Sequence, residues 1–339
     1  MTSKERCIAA IKGNPTDRVP VFPLIMGLAA AQKGITYKQY ASNGGLLAEA
    51  QVFTADKFNF DAVTACSDAF RIATGLGGEI IYEEKGPPHI ASPVIQDRAD
   101  LNRLKGVDIL KTAGRCMDRV RGVSEMVKAV GDRLFVLGWV DLPFAEACSC
   151  IGVQQFMYMM ADDPDLAHDV LRFLTVLVKD FAQAQLEQGA HMIGCGDAAA
   201  SLISPDMFLE FALPYEQEVI SDIQSKGGLV KTHICGDTSK NMENIAQNGS
   251  DLFNIDHMVD LQAALTVFGG AGKAVKGNLD PVTDIYSANR EHTYEAALAC
   301  ISMAEGYRYI LSAGCEIPAG APEENLHALY DAVIAYKRL

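Results

Sequence analysis

Apolar runs of strand length recur along the chain, separated by stretches in which apolar residues return every three to four positions. The runs fall at 19–25, 62–66, 134–140, 192–195, 229–235, 252–256, 273–279 and 308–315. They are apolar almost throughout, the pattern of strands buried on both faces of a sheet. The helical pattern predicts elements at 44–58, 100–131, 152–189, 205–227, 238–248, 260–268 and 291–304, and a last helix over 322–337 that begins with Pro322. A short amphipathic helix over 3–13 opens the chain, with Ser3 as its cap and Gly13 as its stop. Eight apolar strands alternating with helices predict an α/β fold, a (β/α)8 TIM barrel with an N-terminal helical extension. Residues 77–95 break the alternation and read as a β insertion after the second unit. With no repeat, linker or low-complexity segment, 1–339 is read as a single domain.

In such a barrel the reactive site lies where the strands end, and polar residues gather there. Ser67-Asp68, Asp141, Cys195-Gly196-Asp197, His233 with Cys235, Asp256-His257, Gly277-Asn278 with Asp280-Pro281, and Cys315-Glu316 each follow an apolar run. Such groups are costly in a core without partners. His233 and Cys235 sit two apart at a strand end and so face one way. An imidazole and a thiolate on one face suit zinc, and Cys315 is the third donor. Asp197, Asp256, Asn278 and Asp280 are candidate catalytic residues, although Asp256 and Asp280 are equally good helix caps and 277–281 equally reads as a turn. Cys195 and the other cysteines read as packing. His257 is open between surface and site; His89, His168, His191, His292 and His327 are not read as ligands. Lys231 shares the face of His233 and needs a carboxylate partner or a substrate anion, an acid on the neighbouring strand being preferred.

Composition narrows the function classes. The 339 residues are 49% hydrophobic and 21% charged, with a net charge of −14. That balance disfavours nucleic-acid binding, which needs a basic footprint. No apolar run approaches the ~20 residues that span a bilayer, so no membrane role is expected. Nine cysteines without framework spacing, and a charged start with no apolar leader, predict a reducing, cytoplasmic setting. Two thiolates and a neutral imidazole make a neutral zinc unit with its fourth position open. A thiol entering there loses its proton and stays nucleophilic. Activation of water is the competing use, but thiolate donors weaken zinc as a Lewis acid, so thiol alkylation is preferred.

Ser3-Lys4-Glu5-Arg6, Asp17-Arg18-Val19-Pro20, Ser204-Pro205 with Phe208, Glu210-Phe211 and Pro214-Tyr215, His233-Ile234-Cys235-Gly236, Gly277-Asn278 with Asp280-Pro281, and Gly314-Cys315 resemble the uroporphyrinogen decarboxylase superfamily over essentially the whole chain. Its decarboxylases carry an arginine motif after the first strand. Here that region is Pro23-Leu24-Ile25-Met26-Gly27-Leu28-Ala29-Ala30, without arginine. The chain instead resembles the methylcobalamin:coenzyme M methyltransferase branch, which implies Zn2+ on His233, Cys235 and Cys315. The implied reaction moves a methyl group between methylcobalamin on a separate corrinoid protein and a small acceptor, a thiol or tetrahydrofolate. A resting fourth ligand is expected from Asp197, Asp256, Asp280 or Glu316. The alternative is a metal-free decarboxylase of a porphyrinogen-like polycarboxylate, with Arg71 or Arg18 holding carboxylates. The reading admits a homodimer.

Overall fold

The computed structural model describes residues 1–83, 87–112 and 114–336. The centre of the predicted β insertion at 84–86, residue 113 of a predicted helix and Lys337 lie outside the described residues. Seven strands pair in parallel as one curled sheet: β1 (Ala62–Thr64), β4 (Phe135–Asp141), β5 (Met192–Gly196), β6 (Leu229–His233), β7 (Leu252–Asn254), β8 (Ala274–Leu279) and β9 (Tyr309–Ala313), in that spatial order. The predicted insertion contains β2 (Ile80–Ile81) and β3 (His89–Ile90), which pair antiparallel.

The predicted first strand does not form a continuous ladder. Residues 19–25 still take the eighth position, bridging in parallel from Val21 to Leu311 and from Leu24 to Glu316. The amide of Asp61, at the entrance to β1, donates to the Val21 carbonyl at 2.8 Å, so the segment closes the (β/α)8 barrel between β9 and β1. Pro20 and Pro23 have no N–H to give, which interrupts the ladder on this segment.

Three predicted helices are subdivided, each at a residue that stops a helix. The 152–189 pattern becomes Val153–Asp162 and Pro164–Glu187. Asp163 caps the second through Leu166 N, and Pro164 cannot continue the first. The 100–131 pattern becomes Arg98–Leu104, Ile109–Thr112 and Gly114–Val130, with Gly106 at φ +85° in the first break. The 205–227 pattern divides before Pro214. At the N-terminus Thr2, not Ser3, caps helix Ser3–Lys12, in a reciprocal arrangement with Glu5.

That helix plugs the lower end of the barrel. Cys7, Ala10 and Ile11 pack on Phe22, Phe135, Leu137, Met192 and Ile310. The fully buried Asp61 fixes the plug: Arg6 Nη1 donates to it at 2.7 Å, Arg18 Nη1 at 2.8 Å and Val21 N at 2.7 Å. Arg6 and Arg18 of the two N-terminal motifs therefore act at the end opposite the strand carboxyl termini.

Candidate metal centre

His233 ends β6, in register with Gly196 on one side and Asn254 on the other. Its Nδ1 lies 3.0 Å from the Asn254 carbonyl oxygen. A carbonyl only accepts, so Nδ1 carries the hydrogen and Nε2 is left with its lone pair. Cys235 follows in the loop with Sγ 3.2 Å from that Nε2, and Cys315, in the loop after β9, brings its Sγ to 3.6 Å from Cys235 Sγ. All three donor atoms lie within 4.8 Å of one another. His233 is buried and the two cysteines are half-buried, so the trio is reached from the strand-end side of the barrel.

Two glycines let the loops come this close. Gly236, at φ +89°, turns the chain away from Cys235, and its amide donates to Asp256 at 3.0 Å. A Cβ on Gly314 would stand 2.2 Å from the His257 backbone nitrogen, so only glycine brings Cys315 into place.

The trio fits a soft divalent cation. A hydrogen bond from Cys235 pushes the Cys315 thiol down to about 4, and the same contact, with burial, pushes Cys235 up. The sulfur pair thus shares one proton, and a cation that displaces it satisfies both thiolates and the Nε2 lone pair. Two sulfurs and one imidazole nitrogen are a zinc donor set with one position left for a substrate.

Below the trio the barrel interior holds two lysines. Lys231 is paired in register with Gly194 and Leu252, so the expected acid partner on a neighbouring strand is absent. Its ammonium instead lies 4.4 Å from the Trp139 ring centroid and 5.8 Å from that of Phe22, a cation–π arrangement. Gly194 makes the room, since a Cβ there would meet the Trp139 ring at 2.5 Å. Burial pushes Lys231 down to about 8 and Lys276 well below its ordinary value. Lys276 Nζ donates to Asn254 Oδ1 at 2.7 Å.

The other predicted site residues are placed as follows. Asp256 accepts from Gly236 N and Met258 N, and its Oδ1 lies 2.8 Å from His257 Nδ1. Asp280 caps the turn over Pro281–Tyr286 through Val282 N and Thr283 N, and its Oδ2 is 3.7 Å from His257 Nε2. Asn278 donates to the Val259 carbonyl at 2.6 Å. Glu316 turns to the Gly27 and Met26 amides, and burial raises it to about 7. Asp197 is fully buried against Glu216, and burial pushes both carboxyls up, Glu216 to about 7. None of these carboxylates belongs to the group of converging donors. Sequence reasoning missed Glu216 and the buried Glu146, and no acid spacing flagged them. It also missed that Asp141 is bound by the buried Arg71.

A parallel barrel with a mixed sulfur–nitrogen donor set at its strand ends defines the class. The profile of the Uroporphyrinogen decarboxylase (URO-D) family matches residues 2–336, and the chain belongs to that family. A Coxiella burnetii protein described as uroporphyrinogen decarboxylase is 27% identical over 97% of this chain and 94% of its own length. A Methanosarcina acetivorans protein described as Methylcobamide:CoM methyltransferase MtbA is 26% identical over 99% of this chain and 98% of its own. Among solved structures, a methyltransferase from Methanosarcina mazei superposes with a TM-score of 0.89 at 23% identity, covering 99% of both chains, a likeness of fold.

Proposed function

We propose that this chain is a zinc-dependent methyltransferase. It moves a methyl group between a corrinoid held on a separate carrier protein and a small acceptor, a thiol or tetrahydrofolate. The observation that carries the reading is the convergence of His233 Nε2, Cys235 Sγ and Cys315 Sγ within 4.8 Å. Zinc, when bound, supplies the positive charge that lets a thiol ionise near neutral pH. The chain's own part is to hold and orient. Asn254 keeps the Nε2 lone pair of His233 aimed at the sulfurs, Gly314 brings Cys315 to them, and the Asp256–Gly236 contact steadies the Cys235 loop. With a thiol acceptor, the sulfur gives up its proton to solvent and uses a lone pair to form the new C–S bond. The carbon–cobalt bond of the methylated corrinoid breaks with both electrons left on cobalt, which passes from Co(III) to Co(I). The whole chain serves as one barrel domain in this reading.

The decarboxylase alternative needs free arginines at the strand ends. Arg18 is committed to Asp61 at the opposite end, Arg71 to Asp141 and Arg115 to Asp68, which favours methyl transfer. The test is zinc per chain and methylcobalamin demethylation in the wild type and in Cys315→Ser. About one zinc and activity in the wild type, with both lost in a variant of unchanged circular dichroism, is the expected result. Retained activity in Cys315→Ser would sink the assignment.

A further inference from the structure

The donor trio adjoins a cavity of about 440 Å3, a size typical of small-molecule sites. The two are continuous, because Cys235 and Gly236 form part of the cavity wall. Phe70, Ala145, Cys148, Val153 and Leu202 line it too, with Ser149 and Ser201 the only hydroxyls. No lysine, arginine or histidine is among the lining residues. The one carboxylate, Asp141, turns to Arg71, and the buried ammoniums of Lys231 and Lys276 do not reach the cavity. Leu202 is 66% and Val153 43% exposed. Large apolar side chains held against water at a cavity rim are unfavourable until something apolar covers them.

We propose that the methyl acceptor is a thiol with an uncharged, apolar body that fills this cavity while its sulfur meets the donor trio. The inference rests on the methyl-transfer reading and narrows it. An anionic group on the acceptor, such as a sulfonate or the carboxylates of a folate, would lose hydration in a cavity that no free cation lines, Arg71 being committed to Asp141. An alkyl or aryl body instead gains from every methylene it buries.

The test titrates the zinc-loaded full-length chain calorimetrically with 1-butanethiol and 2-phenylethanethiol, and with 2-mercaptoethanesulfonate and 3-mercaptopropionate. Methylcobalamin consumption is followed with each thiol. The apolar thiols should bind about thirtyfold more tightly than the anionic ones. Val153→Lys, which sets an ammonium at the rim, should narrow that gap. Anionic thiols that bind the wild type as well as the apolar ones overturn the inference and leave methyl transfer standing. Failure of every thiol to bind, with methylcobalamin consumed when tetrahydrofolate is supplied instead, overturns the inference alone; no methylcobalamin consumed with any thiol or with tetrahydrofolate overturns the methyl-transfer reading as well. If Val153→Lys alters only the KM for methylcobalamin, the cavity serves the corrinoid and the inference is wrong.

Discussion

Glu216→Gln should make the protein more stable, and only above mildly acidic pH. Glu216 is fully buried. Its Oε2 accepts from Asn248 Nδ2 at 2.8 Å, while Oε1 and both Asp197 oxygens have no side-chain donor in reach. Two carboxyls facing each other without such donors are satisfied only if a proton lies between them. Burial accordingly raises Glu216 from an ordinary 4.5 to about 7. A folded value above the unfolded one stabilises fully below about pH 4.5, and the benefit is lost as pH climbs through 7. That shift corresponds to ~3 kcal/mol, at about 1.4 kcal/mol per pH unit. Glutamine keeps the oxygen that Asn248 needs and offers N–H to Asp197, with no charge to desolvate. Urea midpoints should therefore coincide near pH 5, and at pH 8 the variant should exceed the wild type by a few kcal/mol. Glu216→Ala, which strands Asn248 and leaves a void, should be weaker at both pH values. A Gln variant displaced equally at pH 5 and pH 8, or not at all, would refute a proton held between Asp197 and Glu216.

Two further outcomes test the scaffold. Gly314→Ala places a Cβ 2.2 Å from the His257 backbone nitrogen and 2.8 Å from the Asp256 carbonyl carbon; the Cys315 loop must retreat, and zinc affinity measured by chelator competition should fall at least about tenfold with the fold intact by circular dichroism. Asp61→Asn leaves the guanidiniums of Arg6 and Arg18 without their shared carboxylate. It should cost about 3–5 kcal/mol, read as a lowered urea midpoint, without altering zinc stoichiometry in the folded fraction.

Strands buried on both faces announce themselves, because every residue from Phe135 to Val140 or from Leu252 to Phe253 must be apolar or small. The donor trio was legible for a related reason. A spacing of two at a strand end points His233 and Cys235 the same way, although β6 stops at His233 and the turn at Gly236 completes the approach of Cys235. What depends on register was not legible. The partner of Lys231 is decided by which residues β5 and β7 set beside it, and those are Gly194 and Leu252, so an aromatic ring took the place of the expected carboxylate. Buried acids were equally hidden. Glu146 lies in Pro143–Ile151, a helix buried almost all round, where amphipathic periodicity has no solvent face to mark. Helix ends were misjudged where one residue outweighed a long apolar stripe, as at Asp163-Pro164.

The trio itself raises a problem of alignment. His233 and Cys315 come from β6 and β9, with β7 and β8 between them, so no ladder hydrogen bond sets one against the other. Asn254, at the end of β7, makes the connection. Its carbonyl accepts from His233 Nδ1, and its Nδ2 lies 3.3 Å from the carbonyl of Gly314, the residue before Cys315. Which way that amide points is decided by Lys276. Lys276 Nζ donates to Oδ1 at 2.7 Å, and Nδ2 is left to face the Cys315 loop. An acid in place of Lys276 would reverse the amide and present an oxygen to the Gly314 carbonyl. The buried lysine, costly as it is to desolvate, therefore orients the one side chain that spans both donor-bearing strand ends. Its Nζ lies 5.2 Å from the Phe22 ring centroid, and no carboxylate pairs with it among the described residues. The geometry of the donor trio is carried by a strand pair, β7 and β8, that contributes none of its donors.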